Sequence, residues 1–198
     1  MRSDTTLDVF RPETKNSALL YDLVLILGAT IAIALSAQIA IPVPFSPVPI
    51  TGQTLAVLLT GTLLGRRRGT LAVILYLLEG SLGLPVFAQA KFGLIHLYGP
   101  TGGYLAGFIP AVYVSGYLAE RGWDRTIPGA ALIFTLGTII IFVSGLAWLM
   151  HFTSYTFLLE AGFIPFIPGA MIKIAAATLL APFLRHFLSP DKNQPTDH

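Results

Sequence analysis

The sequence predicts an all-α integral membrane protein: six transmembrane helices, N-in/C-in, with irregular outer loops lining a ligand pocket. Three observations carry this expectation. The 198 residues are 54% hydrophobic and only 11% charged, with a mean hydropathy of +0.74, whereas a soluble domain carries roughly a quarter charged residues. The apolar stretches are long and continuous rather than alternating, which selects helices over a closed barrel among the structures that can span a bilayer. The cations lie on one side of the predicted topology: Arg2, Arg11, Lys15, Arg66, Arg67, Arg68, Arg121, Arg125, Arg185 and Lys192 make up all but two of the 12. By the positive-inside rule that side is cytoplasmic.

Residues 1–18 read as a cytoplasmic arm of mixed charge, without the cationic start and small-residue cleavage site of a signal peptide. The membrane domain is expected over 19–188, and 189–198 form a cytoplasmic tail. The first span, 19–41, repeats a small residue every fourth position at Gly28, Ala32, Ser36 and Ala40. Such a stripe lets helices approach closely in lipid, either within the subunit or as a docking face for a partner membrane protein. Spans at 51–65 and 69–83 are kept apart by Arg66, Arg67 and Arg68, and further spans are expected at 104–119, 128–150 and 164–188. Several fall short of the roughly 20 residues needed to cross alone. Their short ends run into glycine- and proline-rich chain, and irregular backbone is tolerated at membrane depth where it lines an enclosed cavity. The three segments of this kind, 41–53, 83–104 and 162–173, all fall on the outer side, so they are expected to form the walls and cover of an outward pocket.

Lys173 is the residue on which the chemistry turns. It is the only ionisable side chain from Gly162 through Leu184 and sits about one turn past the opening Pro165-Phe166-Ile167-Pro168-Gly169. A cation in an apolar span is a functional-site hypothesis by default; the plain alternative is a lysine that snorkels to the interface. Glu79 and Glu160 are the acids that topology places on the same side, and either could neutralise the amine. Gln53 and Gln89 can donate and accept together, Tyr104 adds a phenol, and Thr51 opens the second span. Gly103, with Gly102 before it, permits close backbone approach to a ligand, and Phe166 supplies apolar wall.

Other chemistries lack their residues. There is no cysteine, so no disulfide, thiolate or cysteine metal site exists. His96 and His151 have neither an i, i+4 partner nor an acidic companion, so no metal site is expected. Neither Gly61–Gly65 nor Gly99–Gly103 ends in the Gly-Lys-Ser/Thr of a phosphate loop. No basic patch suits nucleic acid. An intramembrane enzyme using Lys173 would need a second catalytic group, and no acid–base pair is visible, so no catalytic residue is assigned.

In order along the chain stand Val48-Pro-Ile-Thr-Gly-Gln-Thr54, Gly65-Arg-Arg-Arg-Gly69, Gly83-Leu-Pro-Val-Phe-Ala88, Gly99-Pro-Thr-Gly-Gly-Tyr-Leu105 and Pro165-Phe-Ile-Pro-Gly169 with Lys173. From about Ile41 to Leu180 this resembles the BioY family, the biotin-binding S components of energy-coupling factor (ECF) transporters. The resemblance implies a six-helix bundle in the bacterial inner membrane with an outward pocket for biotin. It implies two kinds of partner, a transmembrane coupling (T) protein and ABC-type ATPases, with ATP used by the latter and no cofactor in this chain. It also makes the stripe Gly28, Ala32, Ser36 and Ala40 similar to the family's docking face. One position departs from the pattern: where the family has Pro-Gly-Asp before the lysine, this chain has Ala170. Weaker biotin binding, a compensating acid such as Glu79, or a shift to another small vitamin-like ligand would each follow.

Overall fold

The computed structural model describes Thr5, Leu7 and residues 10–188, with side chains through 184; the expected tail at 189–198 lies outside the described residues. Helix α1 runs Lys15–Gln38, and a two-stranded antiparallel ribbon follows, β1 Ala40–Ile41 with β2 Ile50–Thr51. Helix α2 spans Gln53–Ser81, and a short α3 (Ile95–Tyr98) interrupts the loop to α4 (Gly102–Ala119). Then come α5 (Ile127–Leu149), the short α6 (Leu158–Gly162) and α7 (Ile167–Leu188). The first helix therefore starts four residues before the predicted span and stops short of Ala40, which leaves α1 to enter the ribbon. The last predicted span is divided, with α6 and a 3₁₀ turn at Ile164–Phe166 preceding α7.

Among the described residues, three segments could cross a bilayer on their own by length and composition: Lys15–Gln38, Ile127–Leu149 and Leu158–Leu184. Helix α2, at 29 residues, would measure about 43 Å if straight, but it is folded back on itself. Gly65 takes φ 80° and ψ 174°, a conformation open to glycine and strained for any L side chain. The hydrogen bond from Gln53 to Tyr76 joins residues that a straight helix would hold about 35 Å apart, so 53–64 and 66–81 are antiparallel arms. They touch closely: a Cβ on Gly69 would lie 3.0 Å from the Gly61 Cα. The three arginines expected in a loop instead open the second arm. Glu120 fixes this turn, accepting from the Arg66 backbone N–H at 3.0 Å while its other oxygen pairs with the Arg66 guanidinium at 3.2 Å. A carboxylate on the free amides of a helix start is stabilising both as a cap and through the helix dipole.

The two arms of α2 pack most extensively on α4, α4 packs on α5, α1 lies along α2, and α7 closes against α5. The core includes Ile33, Val57, Val73, Tyr76, Phe108, Phe134 and Ile141. Outward faces carry exposed Leu19, Leu23, Ile31, Leu35, Ile139, Val143, Ile172 and Leu179, the pattern of helices solvated by lipid rather than water. Alternating chain direction puts the starts of α1 and α5, the Gly65 turn, the end of α4 and the end of α7 at one end of the bundle. Arg11 and Arg68 meet Asp22 there at 2.6 and 2.8 Å, and the Arg121 guanidinium stacks 3.7 Å over the Tyr117 ring. The ribbon, the 82–101 loop and α6 lie at the other end.

The stripe on α1 divides. Gly28 and Ala32 are exposed, and nothing lies within 4 Å of a Cβ built on Gly28. Ser36 is half-buried, with its backbone carbonyl against Gly52, and Ala40 belongs to β1, paired with Thr51.

Candidate functional site

At the ribbon end the helices open into a cavity of about 370 Å³. Leu58, Leu105, Phe108, Phe134, Ile141, Phe142, Phe166 and Ala177 form its apolar wall. The chain before β2 (Pro47, Val48, Pro49) and the 82–101 loop (Phe87, Ala88, Lys91, Ile95, His96) form its cover. Proline in that cover needs no backbone donor satisfied. A bond of 2.5 Å from Ser46 Oγ to the Ala161 carbonyl ties the cover to α6.

Lys173 lines this cavity. Its side chain lies back over the preceding turn, as long side chains on helices do, so that a Cβ on Gly169 would sit 3.9 Å from its Cε. The partner its neighbours in sequence cannot supply comes from across the bundle. Nζ donates to the Thr51 carbonyl at 2.7 Å and to Thr54 Oγ1 at 2.9 Å. A lysine ammonium has three donors, so one N–H is left over. Neither Glu79 nor Glu160 lines the cavity, which corrects the expectation of a neutralising or compensating acid. Glu160 is exposed beside Phe45, Phe157 and Ile164, and Glu79 is half-buried on the second arm of α2. Among the described residues no carboxylate lines the cavity, Ala170 does, and the basic side chains there are Lys91, His96 and Lys173.

Gln53 lines the cavity too, but its amide is already engaged. Oε1 accepts from Thr51 Oγ1 at 3.1 Å, and Nε2 donates to the fully buried Tyr76 hydroxyl. Tyr76 in turn donates to the Val86 carbonyl at 3.0 Å. Gln53 thus braces Thr51, whose carbonyl holds Lys173. Tyr104, on the first turns of α4, lines the cavity with its ring while its hydroxyl donates to the Gly162 carbonyl at 2.7 Å. Phe166 packs 6.4 Å from the Tyr104 ring and 6.3 Å from Phe142. Lys173, Gln53, Tyr104 and Phe166 are therefore brought together.

Two expected site residues are placed elsewhere. Gln89 is exposed at the tip of the 87–91 turn and does not line the cavity. Gly103 is buried where α4 meets α5; a Cβ there would lie 2.2 Å from Trp148 Cβ and 2.6 Å from the Ser144 carbonyl. Its smallness serves helix packing.

Five polar side chains that line the cavity are not singled out by the sequence: Thr54, Lys91, His96, Thr101 and Thr138. Lys91 had a signal, being the one cation on the outer side besides Lys173. His96 lies edge-on to Phe87, ring centroids 6.3 Å apart; partial burial, then the nearby Lys91 charge, hold its pKa below the usual 6.5. Thr138 and Thr101 spend their hydroxyl protons on the Phe134 and His96 carbonyls. The unspent side-chain donors thus include the third Lys173 N–H, the second Gln53 N–H, the Thr54 hydroxyl proton, Lys91 and His96. An apolar cavity with unspent donors, two lysines and no acid among its described lining residues suits a ligand with an apolar body and acceptor oxygens.

The chain matches the model of the BioY family over residues 10–190. It is 41% identical over 177 residues to the biotin transporter BioY2 of Lactococcus lactis, covering 86% of this chain and 93% of that one. It is 40% identical over 147 residues to the biotin transporter BioY of Thermotoga maritima, covering 71% and 83%. A solved structure, the S-component for biotin from an ECF-type ABC transporter, superposes with a TM-score of 0.74 at 27% identity, covering 88% of this chain and 95% of that one. With its fold, its cavity and its sequence agreeing, this chain belongs to the BioY family.

Proposed function

We propose that this chain captures biotin from the outer side of the membrane and serves its uptake as the substrate-binding subunit of an ECF-type transporter. The observation that carries the reading is the apolar cavity with the Lys173 amine fixed on its wall and no carboxylate among its described lining residues. Biotin has a bicyclic apolar body, a ureido oxygen and a carboxylate tail. The body fits the aromatic and aliphatic wall, one oxygen takes the spare Lys173 donor, and Lys91 and His96 at the cover meet whatever oxygen is left. The role is binding, as it is for the family of biotin transporter subunits to which the chain belongs.

The chain would sit in the bacterial inner membrane as a multi-pass protein with the arginine-rich end cytoplasmic, as the positive-inside rule asks. The six spans would be α1, the two arms of α2, α4, α5 and α7, the short arms being completed by protein around the cavity. A coupling protein and ABC-type ATPases would complete the transporter, with the exposed Gly28–Ala32 face of α1 as the contact for the coupling protein.

A second reading has one observation in its favour. Ala170 leaves the ureido N–H groups without a carboxylate partner, so another small vitamin-like anion with fewer donors would lose less in this site. One experiment separates the two: purify the chain alone from cells grown with mixed vitamins, extract what it retains and identify it by mass spectrometry. Biotin as the retained molecule is expected; a different vitamin would favour the second reading, and no retained molecule at all would remove the first.

A further inference from the structure

We propose that Gln38 is a positioning residue for the cavity, holding the cover turn 87–91 in a conformation that turn would not keep alone; this rests on the cavity being the substrate site. The turn closes with a bond of 3.0 Å from the Phe87 N–H to the Lys91 carbonyl. Within it Gln89 and Ala90 both have left-handed backbone, with φ 62° and 54°. These are the described non-glycine residues with positive φ. Left-handed backbone is unfavourable for side chains with a Cβ and persists only where surroundings over-determine it.

Gln38, the last residue of α1, supplies that determination. Its Nε2 donates to the Phe87 carbonyl at 3.2 Å and to the Ala34 carbonyl at 3.0 Å, while its Oε1 accepts from the Ala90 N–H at 2.9 Å. One amide thus grips the turn at Phe87, before the strained pair, and at Ala90 within it, and ties both to the preceding turn of α1. The other side of the turn faces the cavity with Phe87, Ala88 and Lys91. Gln38 itself does not line the cavity, so its effect on a ligand passes through the positions of Phe87 and Lys91.

The test uses the full chain with Gln38→Leu, which keeps bulk and removes both bonds to the turn along with the one to Ala34. Amide hydrogen exchange of segment 87–91, read by mass spectrometry without ligand, should quicken roughly tenfold, and biotin should bind roughly tenfold more weakly, mainly through faster dissociation. Adding Ala90→Gly should recover roughly threefold or more of each loss, because glycine accepts left-handed backbone freely. Unchanged exchange in Gln38→Leu, or a loss that Ala90→Gly does not reduce, overturns the proposal. The exchange arm needs no ligand, so it still decides the point if the protein does not bind biotin.

Discussion

Replacing Lys173 with methionine removes the ammonium and keeps an unbranched stem in the cavity wall. Two effects separate. The Thr51 carbonyl and Thr54 Oγ1 lose donors at 2.7 and 2.9 Å, which costs stability at about 1 kcal/mol for each bond. The ligand loses a charged donor, and a hydrogen bond to a charged group contributes about 1.5–3 kcal/mol. At about 1.4 kcal/mol per tenfold, that weakens binding by roughly 10- to 150-fold. The assay is calorimetric titration of biotin into the purified subunit in nanodiscs, with thermal unfolding measured alongside. Thr54→Val is the companion, since it removes one anchor of the amine while the Thr51 carbonyl still holds it; a smaller loss, roughly threefold, is expected because the charged donor stays in place. A Lys173→Met protein that binds biotin within threefold of the parent would refute the assignment of Lys173 to the ligand.

Ala170→Asp, one turn before Lys173 on the cavity wall, should tighten biotin by roughly tenfold if the ureido N–H groups face it, a gain of about 1.4 kcal/mol; calorimetry of the variant, with weaker binding as the contrary result, checks this. Gly65→Ala should destabilise the fold by about 2 kcal/mol or more, because φ 80° is strained with a Cβ and that atom would lie 2.8 Å from Glu120 Oε1. Thermal unfolding reads it, and an unchanged midpoint would contradict the hairpin turn. His96 gives a pH dependence. Its folded pKa lies below 6.5, so the folded state takes up the proton less readily than the unfolded one. Its contribution to stability is full above the unfolded value and falls as pH drops below it. An anionic ligand beside it should raise that pKa, so binding near pH 6 should take up protons, visible as heats that change with the buffer's ionisation enthalpy; His96→Asn should abolish the dependence.

Apolar run length made the helical segments legible in the sequence, and the isolated charge of Lys173 made one wall of the cavity legible. What the amine bonds to was not, because the Thr51 carbonyl reaches it only once the Ala40–Ile41 and Ile50–Thr51 ribbon is formed, and a backbone carbonyl has no sequence signature. Glu79 and Glu160 show the related limit: topology assigns a residue to one side of the membrane but not to one face of its helix. The Gly65 turn was hidden for another reason. Three arginines ordinarily mean a solvated loop, whereas here one glycine makes the reversal and Glu120, far along the chain, satisfies the helix that restarts. Gly103 reads in sequence as a ligand contact because the need for a missing side chain looks the same whether a ligand or a tryptophan occupies the space.

The cavity, by itself, should be a biotin site. Calorimetric titration of biotin into the unaltered, separately purified subunit tests it most directly. Saturable binding of one biotin per chain, with affinity tighter than micromolar and loss in Lys173→Met, is the result expected. A folded subunit that takes up no biotin at micromolar concentration would contradict it.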